Sequence, residues 1–244
     1  MPALRVGVVG ASGRMGSETC AAITHDPDLE LAVKVTHSDS LDALVEEDAE
    51  VAVDFTTPSA VAANVAWCLD RGIHAVVGTT GLSDDDVSEL GRKAEASGAN
   101  VIIAPNFAVG AVLMMRFAAE AAPHFDRAEI IERHHENKVD APSGTAARTA
   151  ALMSARRPEG WGSTGPEAKS RGENHEGVRI HSVRVPGSVA HQEVILGARG
   201  QTLTIRHDSI DRVSFMPGVL LAVKAVAKSP GVTVGLERLL FPGA

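Results

Sequence analysis

A six-residue apolar run over residues 4–9 passes directly into Gly10, Gly13 and Gly16, and helical periodicity starts at Arg14. Chains are built this way where a buried strand turns sharply into a helix. The glycines let the backbone turn and let a ligand approach it closely. The helix start behind them offers unpaired N–H groups and the positive end of a dipole. In this position the G-x-x-G-x-x-G spacing reads as the phosphate cradle of a dinucleotide site, formed by Gly10, Ala11, Ser12, Gly13, Arg14 and Met15. A plain tight strand-to-helix turn would carry the same glycines.

Further apolar runs at 29–35, 51–55, 73–77 and 101–104 are separated by helical patterns. One helix is expected over 59–69, with Pro58 in its first turn, and another after Ser83, an N-cap followed by the acidic turn Asp84 to Asp86. Continuous apolar strands alternating with helices predict a parallel sheet covered on both faces. Two segments, Gly78-Thr79-Thr80 and Ala104-Pro105-Asn106-Phe107, follow strands of this sheet at the edge where open α/β sheets bind ligands. Their backbone and hydroxyl groups suit a nicotinamide amide, although each would also serve as a simple loop.

The rhythm changes after Phe107. Helices are expected over 110–122, 143–156 and 213–227, and a strand over 129–131. A Pro- and Gly-rich mobile loop is expected over 158–177, then strands at 178–185, 192–196 and 202–207 with no helix between them. Leu203 and Ile205 alternate with Thr202, Thr204 and Arg206, as in a sheet with one wetter face. The fold class is α/β, an N-terminal Rossmann-type doubly wound parallel sheet with a second α+β mixed-sheet domain. The expected boundaries are 1–107 plus 216–244 and 108–215, with the last long helix packed back on the first domain.

Composition narrows the function. A formal net charge of −8 argues against nucleic-acid binding, and six Phe, two Trp and no Tyr leave few stacking platforms. Cys20 and Cys68 stand apart in helical segments and read as small buried hydrophobes, so neither a metal centre nor a disulfide framework is expected. No apolar run is long enough to span a membrane, and the first residues enter a strand with no signal peptide. A cytoplasmic location is expected.

The densest chemistry lies in His134-His135-Glu136-Asn137-Lys138-Val139-Asp140-Ala141-Pro142-Ser143-Gly144-Thr145-Ala146. Two imidazoles and an ammonium fall within five residues, just before a Ser-Gly-Thr helix start. Such a set suits a small substrate carrying carboxylates and a step that protonates it. Adjacent strand residues point to opposite faces, so His134 and His135 would meet one ligand only if the strand ended there. Local capping would explain Ser143 equally well, and local hydrogen bonding the histidines. At the ribose end of the cofactor site, Lys34, Val35, Thr36 and His37 stand where an acid would mark NADH, with no carboxylate before Asp39. Either these cations accept a 2′-phosphate, with help from Arg14, or Lys34 and His37 are merely solvated. On the first reading NADPH serves at least as well as NADH.

The run from His134 to Ala146 closely resembles the signature of the dihydrodipicolinate reductase (4-hydroxy-tetrahydrodipicolinate reductase) family. The likeness extends to Gly10 to Gly16, Asp54-Phe55-Thr56, Gly78 to Gly81, Ala104 to Phe107, Val189-Ala190-His191-Gln192-Glu193 and Arg206-His207-Asp208-Ser209. The resemblance implies an oxidoreductase using NADPH or NADH in the diaminopimelate route to lysine, with a small cyclic dicarboxylate substrate and a homotetrameric assembly. It implies that His134 is the proton donor or acceptor and Lys138 a second proton donor. His135, Lys138, Gly144 and Thr145 would bind substrate carboxylates. The cofactor would lie on Gly10 to Met15, Gly78 to Thr80 and Ala104 to Phe107, with no metal. Hinges near Phe107 and Phe215 would close before reaction. Family members often carry an acid at the ribose position, where this chain has none. A different two-domain nicotinamide dehydrogenase would share the glycine loop without needing the His134 run, and a non-catalytic dinucleotide sensor would bind cofactor without turnover.

Overall fold

The computed structural model describes residues 2–162 and 168–243. Its elements in chain order are β1 (Leu4–Val9), α1 (Arg14–His25), β2 (Leu29–Val35), α2 (Ala43–Glu46), β3 (Val51–Asp54), α3 (Val61–Leu69), β4 (His74–Val77), α4 (Asp84–Ser97) and β5 (Val101–Ile103). Then come α5 (Val109–Ala121), β6 (Arg127–His134), α6 (Gly144–Ala155), β7 (Glu173–His175), β8 (Val178–Arg184), β9 (Ala190–Ala198) and β10 (Gln201–Ser209). The last are α7 (Met216–Val226), β11 (Val232–Val234) and α8 (Glu237–Leu240). The chain divides into two compact units, residues 1–107 with 215–244, and residues 108–214. Among the described residues no helix is long and apolar enough to cross a membrane.

In the first unit six parallel strands run in the order β11-β5-β4-β3-β1-β2. Every residue of β3 and β5 is buried, as a sheet covered on both faces requires. Val61, Val65 and Leu69 of α3 pack with Leu90 and Ala94 of α4 against Ala75, Val77 and Val101. Strand order reverses between β1 and β3, and that reversal opens a crevice at the carboxyl ends of these strands. Ser83 caps α4 as expected: its hydroxyl accepts from the Asp86 N–H, and the Asp86 carboxylate accepts from the Ser83 N–H. Cys20 and Cys68 are buried, also as expected, and burial pushes the Cys68 thiol up to about 12.

The second unit is a five-stranded mixed sheet, β10-β9-β6-β8-β7, in which only β6 and β8 are parallel. Ala128, Ile130, Ile180, Val194 and Leu196 form its buried face, and α5 and α6 contact the sheet. Strand β10 at the edge is largely exposed, in keeping with its alternating sequence.

Several local expectations need correction. The helix expected from residue 59 starts at Val61, so Pro58 lies ahead of it. The strand expected over 129–131 runs over all of Arg127–His134, because cross-strand pairing to β8 and β9 continues past the apolar residues. The helix expected from residue 213 begins with a 3₁₀ turn, Arg212–Phe215, and becomes α-helical at Met216. The loop expected over 158–177 contains a 3₁₀ turn, Lys169–Arg171, and the hairpin strand β7, while its residues 163–167 lie outside the described ones. The short elements α2, β11 and α8 gave no sequence signal.

Strand β11 extends the parallel sheet, and Asn100 fastens it there. The buried Asn100 amide donates to the carbonyls of Val226 and Ala227 at 3.0 and 3.2 Å, and its oxygen accepts from the Gly231 N–H at 3.1 Å. Asn100→Ala removes this partner from all three groups, of which the Val226 carbonyl keeps the bond from the Ser229 N–H at 3.1 Å. The expected loss of unfolding free energy in urea is ~2 kcal/mol or more, and a variant as stable as the parent would dismiss the clasp.

Candidate active site

The crevice of the first unit is a cavity of about 470 Å³ lined by residues that include Gly10, Ser12, Gly13, Thr36, His37, Asp39, Phe55, Thr56 and Asn64. Gly10 has φ +82°, and a Cβ there would also strike the Phe55 carbonyl. A Cβ at Gly16 would overlap the carbonyl of Gly10, so α1 can start this close to β1 only with glycine at both places. The N-cap of α1 is Gly13, with no side-chain cap and no acid in the first turn. Its leading N–H groups therefore have no capping side chain and no first-turn acid as partner.

Beneath the cavity lies Asp54, buried at the end of β3. Its Oδ1 accepts from the Thr56 N–H at 3.0 Å and from the hydroxyls of Thr56 and Thr79, both at 2.7 Å. Its Oδ2 accepts from the Asn64 amide at 2.9 Å. This network joins the ends of β3 and β4 and turns the Thr79 hydroxyl inward. Of the expected cofactor residues on this edge, Thr80 and Pro105 are exposed. Phe107 is buried edge-on against Phe55, with ring centroids 5.8 Å apart.

The ribose end departs from expectation. Lys34 is exposed and is not among the lining residues, whereas His37 and Asp39 are. The turn after β2 folds Asp39 back, so that its Oδ2 accepts from the Thr36 hydroxyl and N–H at 2.6 and 2.9 Å. These bonds hold its carboxyl below the usual carboxylate range. Spacing along the chain placed Asp39 too far on, and the turn returns it to the cavity wall.

In the second unit β6 ends at His134, so His135 follows the strand and the alternation rule no longer separates the two side chains. The turn closes with the Lys138 N–H donating to the His135 carbonyl at 3.1 Å. The Lys138 ammonium pairs with Asp140 at 2.7 Å. Ser143 does cap α6, its hydroxyl accepting from the Ala146 N–H at 3.2 Å. Gly144 is exposed, and a Cβ there would meet nothing within 4 Å. No acid occupies the first turn of α6.

Glu132 and Arg184 were missed by sequence reasoning. Glu132 is 0% exposed and lies two residues before His134, on the same face of β6. Its Oε2 contacts His134 Nδ1 at 2.5 Å and accepts from Arg184 Nη1 at 2.9 Å. Its Oε1 accepts from Arg184 Nη2 at 2.8 Å and from the Ser143 N–H at 3.2 Å. Burial opposes its ionisation, but the bonds from His134, Arg184 and Ser182 prevail and hold the carboxyl at about 2. The motif residues His191, Arg206 and Asp208 pair with one another across β9 and β10. His191 is the register partner of Arg133, which puts it on the opposite face of the sheet from Glu132. Among the described residues no group of three or more His, Cys, Asp or Glu is arranged to hold a metal ion.

A parallel sheet with a glycine cradle at its switch point, joined to a mixed-sheet unit carrying a histidine, a lysine and an open helix start, defines a two-unit dinucleotide-dependent oxidoreductase. Residues 4–107 match the family description "Dihydrodipicolinate reductase, N-terminus", and residues 110–240 match "Dihydrodipicolinate reductase, C-terminus". The chain belongs to the dihydrodipicolinate reductase family. It is 51% identical over 247 residues to the 4-hydroxy-tetrahydrodipicolinate reductase of Streptomyces coelicolor, covering 98% of this chain and 99% of that one. It is 52% identical to the Nocardia farcinica reductase over 244 residues, covering 97% and 98%. The dipicolinate-bound dihydrodipicolinate reductase from Paenisporosarcina sp. TG-14 superimposes with a TM-score of 0.86 at 37% identity, covering 97% of this chain and 99% of that one. GenD2 from gentamicin A biosynthesis, solved with NAD, shares the fold alone, at TM-score 0.66 and 14% identity.

The ribose end generates a test. An ionised Asp39 at this wall would accept from a ribose 2′-hydroxyl and repel a 2′-phosphate. Asp39→Asn should shift relative affinity from NADH toward NADPH by about 10-fold, as read by cofactor fluorescence titration. An unchanged ratio would exclude Asp39 from cofactor selection.

Proposed function

We propose that this chain reduces 4-hydroxy-tetrahydrodipicolinate, or its dehydrated form, to tetrahydrodipicolinate with NADPH or NADH in the diaminopimelate route to lysine. The observation that carries this reading is the placement of His134 at the end of β6, with Lys138 in the turn ahead of α6. That arrangement occurs in a chain half identical, end to end, to reductases named for this reaction.

The first unit takes the dinucleotide, and the second takes the substrate. The cradle fits the cofactor's pyrophosphate: a Cβ at Gly10 or Gly16 would fill it, and the start of α1 offers N–H donors with no competing acid. The segments Gly78 to Thr80 and Ala104 to Phe107 hold the nicotinamide end, through backbone groups where side chains are turned inward. Bound NAD(P)H supplies a hydride to the substrate ring.

His134 supplies the proton taken by the ring carbon beside the one attacked, since imidazole is the side chain whose proton is exchangeable near neutral pH. Lys138 neutralises one carboxylate and stands as the second proton donor. His135 and the N–H groups of Gly144 and Thr145 receive the carboxylates at the positive end of α6. Dipicolinate, the ligand in the Paenisporosarcina structure, is itself a ring dicarboxylate. The assembly is a homotetramer formed through the second unit, and the location is cytoplasmic.

The direct test is cofactor oxidation with substrate made in place from pyruvate and aspartate semialdehyde by the upstream synthase. Turnover should require the synthase product. Bound cofactor with no turnover would sink the reading in favour of another substrate or a sensor. His134→Gln and Lys138→Ala should each lower kcat by ~10²-fold or more, with dinucleotide affinity unchanged. A variant with parental kcat removes that residue from the mechanism. Gly144→Ala should keep the parental melting temperature, because its methyl meets nothing in the protein, and should raise the substrate KM. A parental KM would move the carboxylate elsewhere.

A further inference from the structure

We propose that Glu132 is a positioning residue that restricts His134 to exchanging its proton through Nε2 alone, and that Arg184 keeps Glu132 ionised for that purpose. The inference rests on the reading of His134 as proton donor.

The geometry leaves little freedom. Glu132 lies in the buried layer between the sheet and α6, among Ile130, Ile180 and Val194, with Gln192 opposite it on β9 bonded to Thr149 of α6. A buried carboxylate survives there only with its lone pairs satisfied. His134 and Arg184 supply one donor each to Oε2, and Arg184 and Ser143 one each to Oε1. The Ser182 side chain adds a further bond. The guanidinium meets both carboxylate oxygens, the fork arrangement that suits a fixed planar pair. An ionised carboxylate accepts and cannot donate. The 2.5 Å contact to His134 Nδ1 therefore requires the hydrogen to sit on that nitrogen.

The consequence for chemistry is direct. With Nδ1–H committed to Glu132, only Nε2 can gain or lose a proton. The protonated ring presents one acidic N–H, at Nε2. Once that proton has passed to the ligand, the neutral ring is left in the Nδ1–H form that Glu132 already binds, so neither the ring nor its partners must rearrange. Glu132 does this from outside the ligand's reach, since its side chain is fully enclosed.

The groups around His134 fit this role. Its register partners are Arg184 on β8 and the uncharged Ala190 on β9. The following turn carries His135, Lys138 and Asp140. Arg184 also donates to the Asp140 carbonyl at 2.7 Å. It thus ties the Glu132 carboxylate to the turn that holds Lys138.

The test reads the tautomer itself. The full-length protein is labelled with ¹⁵N-histidine, and His134 is assigned by its absence from the spectrum of His134→Gln. Magic-angle-spinning NMR is then recorded at a pH where the imidazoles are neutral. The expected result is the Nδ1–H tautomer for His134, and an Nε2–H tautomer in the unaltered protein overturns the proposal with no variant needed. In Glu132→Gln the amide can also donate to Nδ1, so the Nδ1–H signal should weaken or vanish. The kcat should fall at least ~10-fold with dinucleotide KM unchanged, and parental kcat in a folded Glu132→Gln would also overturn it. Because the tautomer is read without turnover, failure of the reductase assignment leaves that signal in place and is told apart from failure of this one.

Discussion

The second unit is organised around one buried charge. A carboxylate moved from water into an apolar layer loses several kcal/mol of solvation, which only close, well-aligned donors offset. Glu132 collects such donors from four pieces of chain: its own strand, β8, the start of α6 and, through Arg184, the turn over 135–142. Each piece must arrive in register for the charge to be satisfied. Removing Arg184 would take the guanidinium counter-charge from a buried carboxylate, a far larger penalty than losing a surface ion pair. His134, the proposed proton donor, is consequently tied to that buried charge.

The first unit solves a related problem in the same way. Asp54 is enclosed at the end of β3 and takes donors from Thr56, Thr79 and Asn64. It fixes the ends of two parallel strands beside the crevice, while Gly10 and Gly16 bring β1 and α1 within contact. In both units a buried carboxylate at a strand end fixes loops that would otherwise be free, and the groups proposed to touch ligand stand on those loops.

How much of this was legible in the sequence depends on whether the physical signal was local. The glycine cradle was, because a left-handed backbone and close approach demand glycine at particular residues. The parallel strands were, because burial on both faces produces unbroken apolar runs. The His134 to Ala146 run was visible as a density of donors. Glu132 was not: a glutamate between Ile131 and Arg133 reads as one more polar strand position, and its partner Arg184 is 52 residues away. Asp39 was passed over because spacing along the chain ignores the turn that returns it to the cavity. Strand β11 contributes three residues, too few for a periodicity, and owes its place to a buried asparagine 132 residues before it at the start of the pairing.

Burial also separates the ion pairs that are fixed from those that can exchange. Glu132 and Arg184 form a closed pair, so the Arg184 charge is already neutralised. Lys138 is held differently. Its partner Asp140 has a side chain 57% exposed, and the pair closes at 2.7 Å in a turn open to water. An exposed pair of this kind is worth ~1 kcal/mol or less. In the proposed reaction a substrate carboxylate can therefore displace Asp140 at little cost, and Asp140 keeps its solvation when it is released. On that reading a chain with a net charge of −8 can admit a dianion. On the same reading Arg184 is committed to shaping the site, and Lys138 exchanges an internal carboxylate for an external one.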